Sequence, residues 1–68
     1  MKITAYNTFG TKDASRVVAS YESETADFRE ALNEARYRAA IWNKTETREN
    51  MKVRFILANG HLTTVESL

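Results

Sequence analysis

The chain has 68 residues, which is enough for one domain and leaves no room for a second. It contains no cysteine and one histidine, so disulfide scaffolds and zinc sites built from cysteine and histidine are excluded. With 43% apolar residues, 28% charged residues and a net charge of +1, the composition is that of an ordinary globular protein and not of a disordered tail.

The opening stretch "MKITAYNTFG" lacks the apolar run of a secretory signal, and no window approaches the roughly 20 apolar residues of a membrane-spanning helix. We therefore expect a cytoplasmic protein with no membrane partner. Charge is uneven along the chain: residues 29–54 carry seven Lys and Arg against four Asp and Glu, a net of +3. The acids are interspersed among the bases, which is more typical of a solvated face than of a nucleic-acid track.

Two strands open the predicted fold. The first covers residues 2–9, with Ile3 and Ala5 on one side and Thr4 and Tyr6 on the other. The stretch "GTKDAS" then predicts a turn, since its glycine, aspartate and serine are typical turn residues. The second strand covers residues 16–22, where Val17, Ala19 and Tyr21 alternate with Val18, Ser20 and Glu22.

A helix is predicted over residues 26–42. Thr25 is a plausible N-cap, and Asp27 with Glu30 three residues later is the other choice. Asn43 is the expected C-cap, before the polar loop "NKTETREN". Helical spacing gives the helix one apolar face, which consists of Phe28, Leu32, Ala35, Ala39 and Trp42.

The third and fourth strands form a predicted hairpin. In "MKVRFILA", residues 51–58, Val53, Phe55 and Leu57 alternate with Lys52, Arg54 and Ile56. Asn59-Gly60 follows and favours a type I′ turn, which needs positive φ at both central residues. A two-residue loop pairs Ala58 with His61, Leu57 with Leu62, Ile56 with Thr63 and Phe55 with Thr64, and the fourth strand covers residues 61–67.

These elements predict an α+β fold of ββαββ order, in which one helix lies on one face of a four-stranded antiparallel sheet. The helix would cover an apolar set of strand residues. We expect that set to be Ile3, Ala5, Val17, Tyr21, Val53, Phe55, Leu57 and Leu62.

Two apolar side chains of the helix fall opposite its apolar face. Tyr37 and Ile41 are four residues apart and adjacent on the helix surface, with Arg38 beside them. Ordinary exposure of scattered apolar residues is one explanation, and cover by the C-terminal segment "TTVESL" is another. The third is a contact surface for a partner protein.

The uncovered face of the sheet is the second candidate surface. The alternation predicts a strip of Tyr6, Val18, Ile56 and Val65 there, rimmed by Lys52 and Arg54. Aromatic and aliphatic side chains surrounded by arginine are typical of a protein interface. We expect this strip to bind the main partner or to form a homodimer, while Tyr37, Ile41 and Arg38 make a second contact.

No residues in the sequence predict catalysis, a metal or a cofactor. His61 has no carboxylate, serine or cysteine nearby in sequence, and Gly10 and Gly60 form no phosphate-binding loop. We therefore expect a non-enzymatic binding module. The alternative is a small RNA- or DNA-binding protein that uses Tyr6, Lys52, Arg54 and His61 on the open sheet, although one aromatic is few for that purpose.

In length and plan, "MKITAY", "ETADFREALNEARYRAA" and "MKVRFILANGHL" resemble the small accessory proteins encoded by bacteriophages and other mobile elements. That group includes host-takeover factors and inhibitors of bacterial defence systems. The resemblance is one of size and architecture over the whole chain and contains no signature motif. It implies a protein that binds and blocks a host protein or defence complex, and it assigns no residues.

Overall fold

The computed structural model describes residues 1–8 and 15–65, and it has the α+β, ββαββ architecture that the sequence predicts. Strands β1 (Lys2–Thr8) and β2 (Ser15–Glu22) precede helix α1 (Phe28–Thr45). A short 3-10 helix (Glu49–Met51) then leads to β3 (Phe55–Ala58) and β4 (His61–Thr64). The predicted turn after β1 and the predicted last residues of β4 lie outside the described residues.

The four strands form one antiparallel sheet in the order β2-β1-β3-β4. In the pairing of β1 with β2, Ala5 lies opposite Ala19 and Tyr6 opposite Val17. Val18 is therefore the extra residue of a β-bulge, and the side-chain alternation of β2 changes there. The central strands β1 and β3 pair with Ala5 opposite Ile56 and Tyr6 opposite Phe55.

The β3–β4 hairpin has the predicted turn and register. Asn59 has φ 50° and Gly60 has φ 77°, the positive values that a type I′ turn requires. Leu57 lies opposite Leu62, and Phe55 lies opposite Thr64, as the two-residue loop dictates. Strand β4 ends at Thr64, and the Val65 N–H still donates to the Arg54 carbonyl at 2.9 Å.

Helix α1 begins at Phe28 because Asp27 caps it. The Asp27 carboxylate accepts from the Glu30 N–H at 3.1 Å, while the Thr25 hydroxyl accepts from the Asp27 N–H at 3.1 Å. The helix continues to Thr45 with Glu46 as its C-cap, so the prediction that Asn43 ends it is wrong. Asn43 instead bonds to the segment that enters β3.

Two asparagine side chains hold that connecting segment. The Asn43 side chain donates to the Val53 carbonyl at 2.8 Å and accepts from the Val53 N–H at 2.7 Å. Asn7, 1% exposed on β1, donates from Nδ2 to the carbonyls of Glu49 and Lys52 at 2.8 and 2.6 Å. Because these side chains bind the backbone of residues 49–53, β3 begins at Phe55 and not at residue 51 as predicted.

The core lies between α1 and the central strands. Ala31, Ala35 and Ala39 recur every four residues on the helix and are buried against the sheet. Phe28 and Leu32 are partly buried beside them. The buried cluster consists of Ile3, Ala5, Ala31, Ala35, Ala39, Val53, Ile56 and Ala58.

The predicted faces of β3 are wrong. Ile56 is 1% exposed and lies in the core beside Ala5, whereas Phe55 and Leu57 point to the opposite face with Tyr6 and Thr4. The physical reason is that "FILA" is apolar at every position, so alternation alone does not select a face. Three helix alanines bring α1 close to the sheet, and Ile56 and Ala58 take less room there than Phe55 and Leu57 would.

Two more residues of the predicted open strip lie on the core side. Val18 and Val65 are partly buried and pack against the buried cluster. Val18 does so because the bulge shifts the alternation of β2, and the same shift leaves Val17 opposite Tyr6 and 55% exposed. Leu62 pairs with Leu57 and therefore lies on the uncovered side of the sheet. It is 54% exposed, whereas the sequence predicted that it would be buried.

Candidate protein-binding surfaces

The face of the sheet turned away from α1 carries two rows of side chains. One row runs across all four strands through Val17, Tyr6, Phe55 and Thr64. The other row runs through Ser20, Thr4, Leu57 and Leu62. We call these eight residues the open face.

The open face is apolar at its centre. Tyr6 and Phe55 lie directly opposite each other on the two central strands, and both are half-buried, as is Leu57. Val17 and Leu62 extend the apolar surface toward the two edge strands and are more than half exposed. The open face of an antiparallel sheet is ordinarily polar, so an aromatic and aliphatic centre indicates a surface that something else covers.

Among the described strand residues, the charged side chains on this side of the sheet lie at one end. Lys2 and Glu22 lie opposite each other at the start of β1 and the end of β2, and both are exposed. Along the described strands, no other charged side chain is placed on this side by the alternation. An open depression of about 430 Å³ lies at the same end, lined by Met1, Lys2, Thr4, Leu57, Asn59 and Gly60.

Tyr37 and Ile41 form a ridge on the outer side of α1. They are 62% and 51% exposed, so the expectation that they face outward is confirmed. Arg38 lies next to them and pairs with Glu34 at 3.0 Å. Val65, within the segment considered as a possible cover for the ridge, packs against the buried cluster instead; residues 66–68 lie outside the described residues.

A groove of about 250 Å³ separates α1 from β2. Its floor is formed by buried core residues, while Ala19 and Tyr21 on β2 and Arg38 and Trp42 on α1 line its sides. The Arg38 guanidinium lies 4.6 Å from the centre of the Tyr21 ring, a cation–π contact. Burial, with a smaller effect of Glu34, raises the pKa of Tyr21. Its hydroxyl has no hydrogen-bond partner within the described part of the chain.

The structure separates the nine predicted contact residues. Tyr6 lies on the open face, and Tyr37, Ile41 and Arg38 lie on the helix. Lys52 and Arg54 both reach Glu49, at 3.7 and 2.7 Å, and so form an ion-pair cluster before β3. The remaining three, Val18, Ile56 and Val65, belong to the core side.

Sequence reasoning missed five members of the open face, namely Val17, Phe55, Leu57, Leu62 and Thr64. The available signal was the hairpin register, which ties Leu57 to Leu62 on whichever face they occupy. The sequence pattern does not indicate the bulge at Val18 or the register between β1 and β3.

Comparison of the chain with protein-family models, curated proteins and solved structures finds no match. Within residues 1–8 and 15–65, no helix has the length and apolar character to cross a membrane. In the same residues, no three His, Cys, Asp or Glu side chains group as a metal site would require. The surfaces themselves are therefore the basis for a functional proposal.

Proposed function

We propose that this protein is a non-enzymatic binding module whose open face contacts a partner protein. The observation that supports the proposal is the apolar centre of that face, formed by Tyr6, Phe55 and Leu57 across the two central strands. Protein interfaces favour aromatic residues and few charges at their centre, with polar groups at the rim. The open face has this arrangement, with Lys2 and Glu22 at its end.

The ridge of Tyr37 and Ile41 supplies a second contact in this proposal. It lies on the far side of α1 from the sheet, so one partner cannot reach both surfaces without wrapping around the protein. A narrow ridge with one aromatic and a neighbouring arginine suits an anchor that enters a pocket on a second surface. The resemblance in size and plan to phage accessory proteins adds the mode of action to the proposal, namely blocking a host protein or defence complex.

The experiment is affinity capture from a bacterial lysate with quantitative mass spectrometry. The bait is the wild-type chain, the variant Leu62→Glu, or the control Arg29→Glu. Leu62 is 54% exposed on the open face, and Arg29 is an exposed helix residue, so both variants are expected to fold. We expect Leu62→Glu to lose the partner that wild type and Arg29→Glu both retain, because a carboxylate would be buried unpaired in the interface. Equal capture by all three baits contradicts the proposal.

Nucleic-acid binding through the same face is the second candidate, and one observation favours it. The structure places a second aromatic, Phe55, beside Tyr6 on the central strands, where paired aromatics can stack on bases. The shortage of positive charge on the open face favours a protein partner instead, because phosphates dominate nucleic-acid affinity.

Fluorescence anisotropy with single-stranded and duplex oligonucleotides distinguishes the two candidates. At physiological ionic strength we expect no binding. Tight binding that weakens both with added salt and with Tyr6→Ala would support the nucleic-acid alternative.

A further inference from the structure

The groove between α1 and β2 opens directly onto the core. Its volume is about 250 Å³, and its floor consists of core side chains that are at most 9% exposed, namely Ile3, Ala5, Ala35, Ala39, Val53 and Ile56. Ala19 on β2 extends this floor to the edge of the sheet, so four of the lining side chains are single methyl groups. The groove is the space that larger side chains at these positions would fill.

Two aromatic side chains at the sides of the groove are held in place by polar contacts. The Trp42 indole N–H donates to the Met51 carbonyl at 3.0 Å, and 40% of the Trp42 surface stays exposed. The Tyr21 ring lies against the Arg38 guanidinium, 4.6 Å from the ring centre. Because these contacts hold both rings, neither ring fills the groove, and the groove is already formed in the free protein.

The charge at the groove is positive. Of the described residues that line it, Arg38 is the one that carries a charge. Glu34 contacts Arg38 at Nη2, 3.0 Å away, and an exposed pair of this kind on a helix is weak. A guanidinium has five N–H donors in a planar fork and binds a carboxylate through two of them. The groove therefore favours a ligand with a negative end over a neutral or positive one.

We infer that the groove binds a small aromatic carboxylate, with its rings on the alanine floor between Tyr21 and Trp42 and its carboxylate on Arg38. An apolar cavity of about 150 Å³ holds benzene, so a groove of about 250 Å³ has room for about two fused rings. Aromatic rings suit the site because aromatic side chains line both of its sides. The rings lie on the buried floor, while the carboxylate stays near solvent with Arg38, whose side chain is 60% exposed.

This inference goes beyond the proposed function, because the groove contains none of the eight residues of the open face. A ligand in the groove leaves the open face uncovered, and capture of a partner through Leu62 does not report on it. Arg38 also lies next to the ridge, so the test uses the purified chain without a partner protein. The two proposals therefore succeed or fail separately.

The test is a titration of the isotope-labelled chain, followed by NMR, with three naphthalenes that are substituted at the same ring position. They are naphthoate, which is anionic, naphthamide, which is neutral, and naphthylmethylammonium, which is cationic. Trp42 is the one tryptophan of the chain, so its indole N–H resonance reports on the groove. We expect naphthoate to have a Kd about 3- to 10-fold lower than naphthamide, and the cation to bind most weakly, because the ion pair with Arg38 is partly exposed.

Two variants with matched controls assign the contacts. Arg38→Gln should make naphthoate bind no more tightly than naphthamide, whereas Arg29→Gln, at an exposed helix position, should keep the wild-type preference. Ala39→Leu places extra carbons in the groove and should weaken every probe at least about tenfold. Ala40→Leu adds the same carbons outside the groove and should bind as wild type does. Circular dichroism checks that each variant is folded.

A wild-type chain that binds none of the three probes overturns the inference. Equal binding of naphthoate and naphthamide also overturns it, because the groove would then take any apolar group, such as a side chain of a partner protein. So does undiminished binding to Ala39→Leu, or a preference for naphthoate that persists in Arg38→Gln. If folded Arg38→Gln binds neither naphthoate nor naphthamide, Arg38 shapes the groove and does not select the anion, and the assignment of a carboxylate is wrong.

Discussion

At the scale of single residues, two asparagine side chains form hydrogen bonds with the backbone of the segment before β3, bonds that a neighbouring strand would otherwise provide. Residues 52–54 enter the sheet without belonging to β3, so their backbone groups need hydrogen bonds from elsewhere. Asn43 supplies both a donor and an acceptor to Val53, which is 4% exposed. Asn7 supplies two donors to the carbonyls of Glu49 and Lys52. Asn43 was predicted to be the C-cap of the helix because asparagine is common at that position.

Asn43→Ala should therefore lower the free energy of unfolding by about 1–3 kcal/mol, because it leaves the buried Val53 N–H and carbonyl without partners. Asn33→Ala is the matched control, since Asn33 is exposed on the same helix. It should be neutral or slightly stabilising because alanine favours helix. Urea unfolding followed by circular dichroism measures both, and equal values for the two variants would show that the Asn43 contacts do not stabilise the entry to β3.

Tyr21 should make the stability of the fold depend on pH in the alkaline range. Burial, and to a lesser extent Glu34, raises its pKa above the ordinary 10.0, while Arg38 opposes the shift. The folded state therefore favours the protonated phenol. The resulting stabilisation is fully present below pH about 10 and is lost as the pH rises through the higher pKa of the folded state.

Tyr21→Phe should abolish this part of the alkaline loss of stability. At neutral pH it should not destabilise the protein, because the hydroxyl has no partner among the described residues. Tyr37→Phe, on the exposed ridge, is the control and should leave the alkaline profile as in wild type. Thermal unfolding measured at several pH values from neutral to alkaline tests this, and a Tyr21→Phe profile identical to that of wild type would contradict it.

At the scale of elements, the alanine stripe of α1 sets the distance between helix and sheet. Ala31 is 0% exposed and fully enclosed, whereas Ala39 borders the groove beside β2. Ala31→Leu should cost about 1–3 kcal/mol of stability, because added carbons in a packed site force the helix away from the sheet. Ala39→Leu should cost less than about 1 kcal/mol, because its side chain can extend into the groove. If urea unfolding shows both changes to be equally damaging, the groove is not available space.

Most elements could be predicted because each has a local cause. Asn59-Gly60 dictates the hairpin turn, and helical spacing of Phe28, Leu32 and Ala35 dictates the helix. The side-chain faces of β3, and those of Val17 and Val18 in β2, could not be predicted, for two different reasons. Every residue of β3 is apolar, so its face depends on the register with β1. In β2 the bulge at Val18 exchanges the faces of Val17 and Val18 relative to strict alternation.

The candidate surfaces, like the strands, could be predicted only in part. Tyr37 and Ile41 were placed correctly because helix periodicity alone determines their direction. The sheet surface was predicted to be apolar, and it is, but Tyr6 is the one member of the predicted strip that the structure retains there. Phe55, Leu57 and Leu62 replace Ile56 and Val65, and Val17 replaces Val18.

At the scale of the whole molecule, the two candidate surfaces lie on opposite sides. The open face is on the side of the sheet turned away from α1, and the ridge is on the outer side of α1. Two partners can therefore bind at the same time in the arrangement that we propose. The open face as a binding surface depends on one assignment, namely that Ile56 is in the core and its neighbour Leu57 is on the open face.

Thiol labelling of single-cysteine variants measures that assignment directly, because the natural chain contains no cysteine. Ile56→Cys and Leu57→Cys would each react with a small alkylating reagent under native conditions, with mass spectrometry following the rate. We expect Leu57→Cys to react at least about tenfold faster than Ile56→Cys, whose thiol becomes accessible only when the structure opens. Both should react at similar rates in denaturant. Faster native labelling of Ile56→Cys than of Leu57→Cys would mean that Leu57 faces the helix, and the open face described above would not exist.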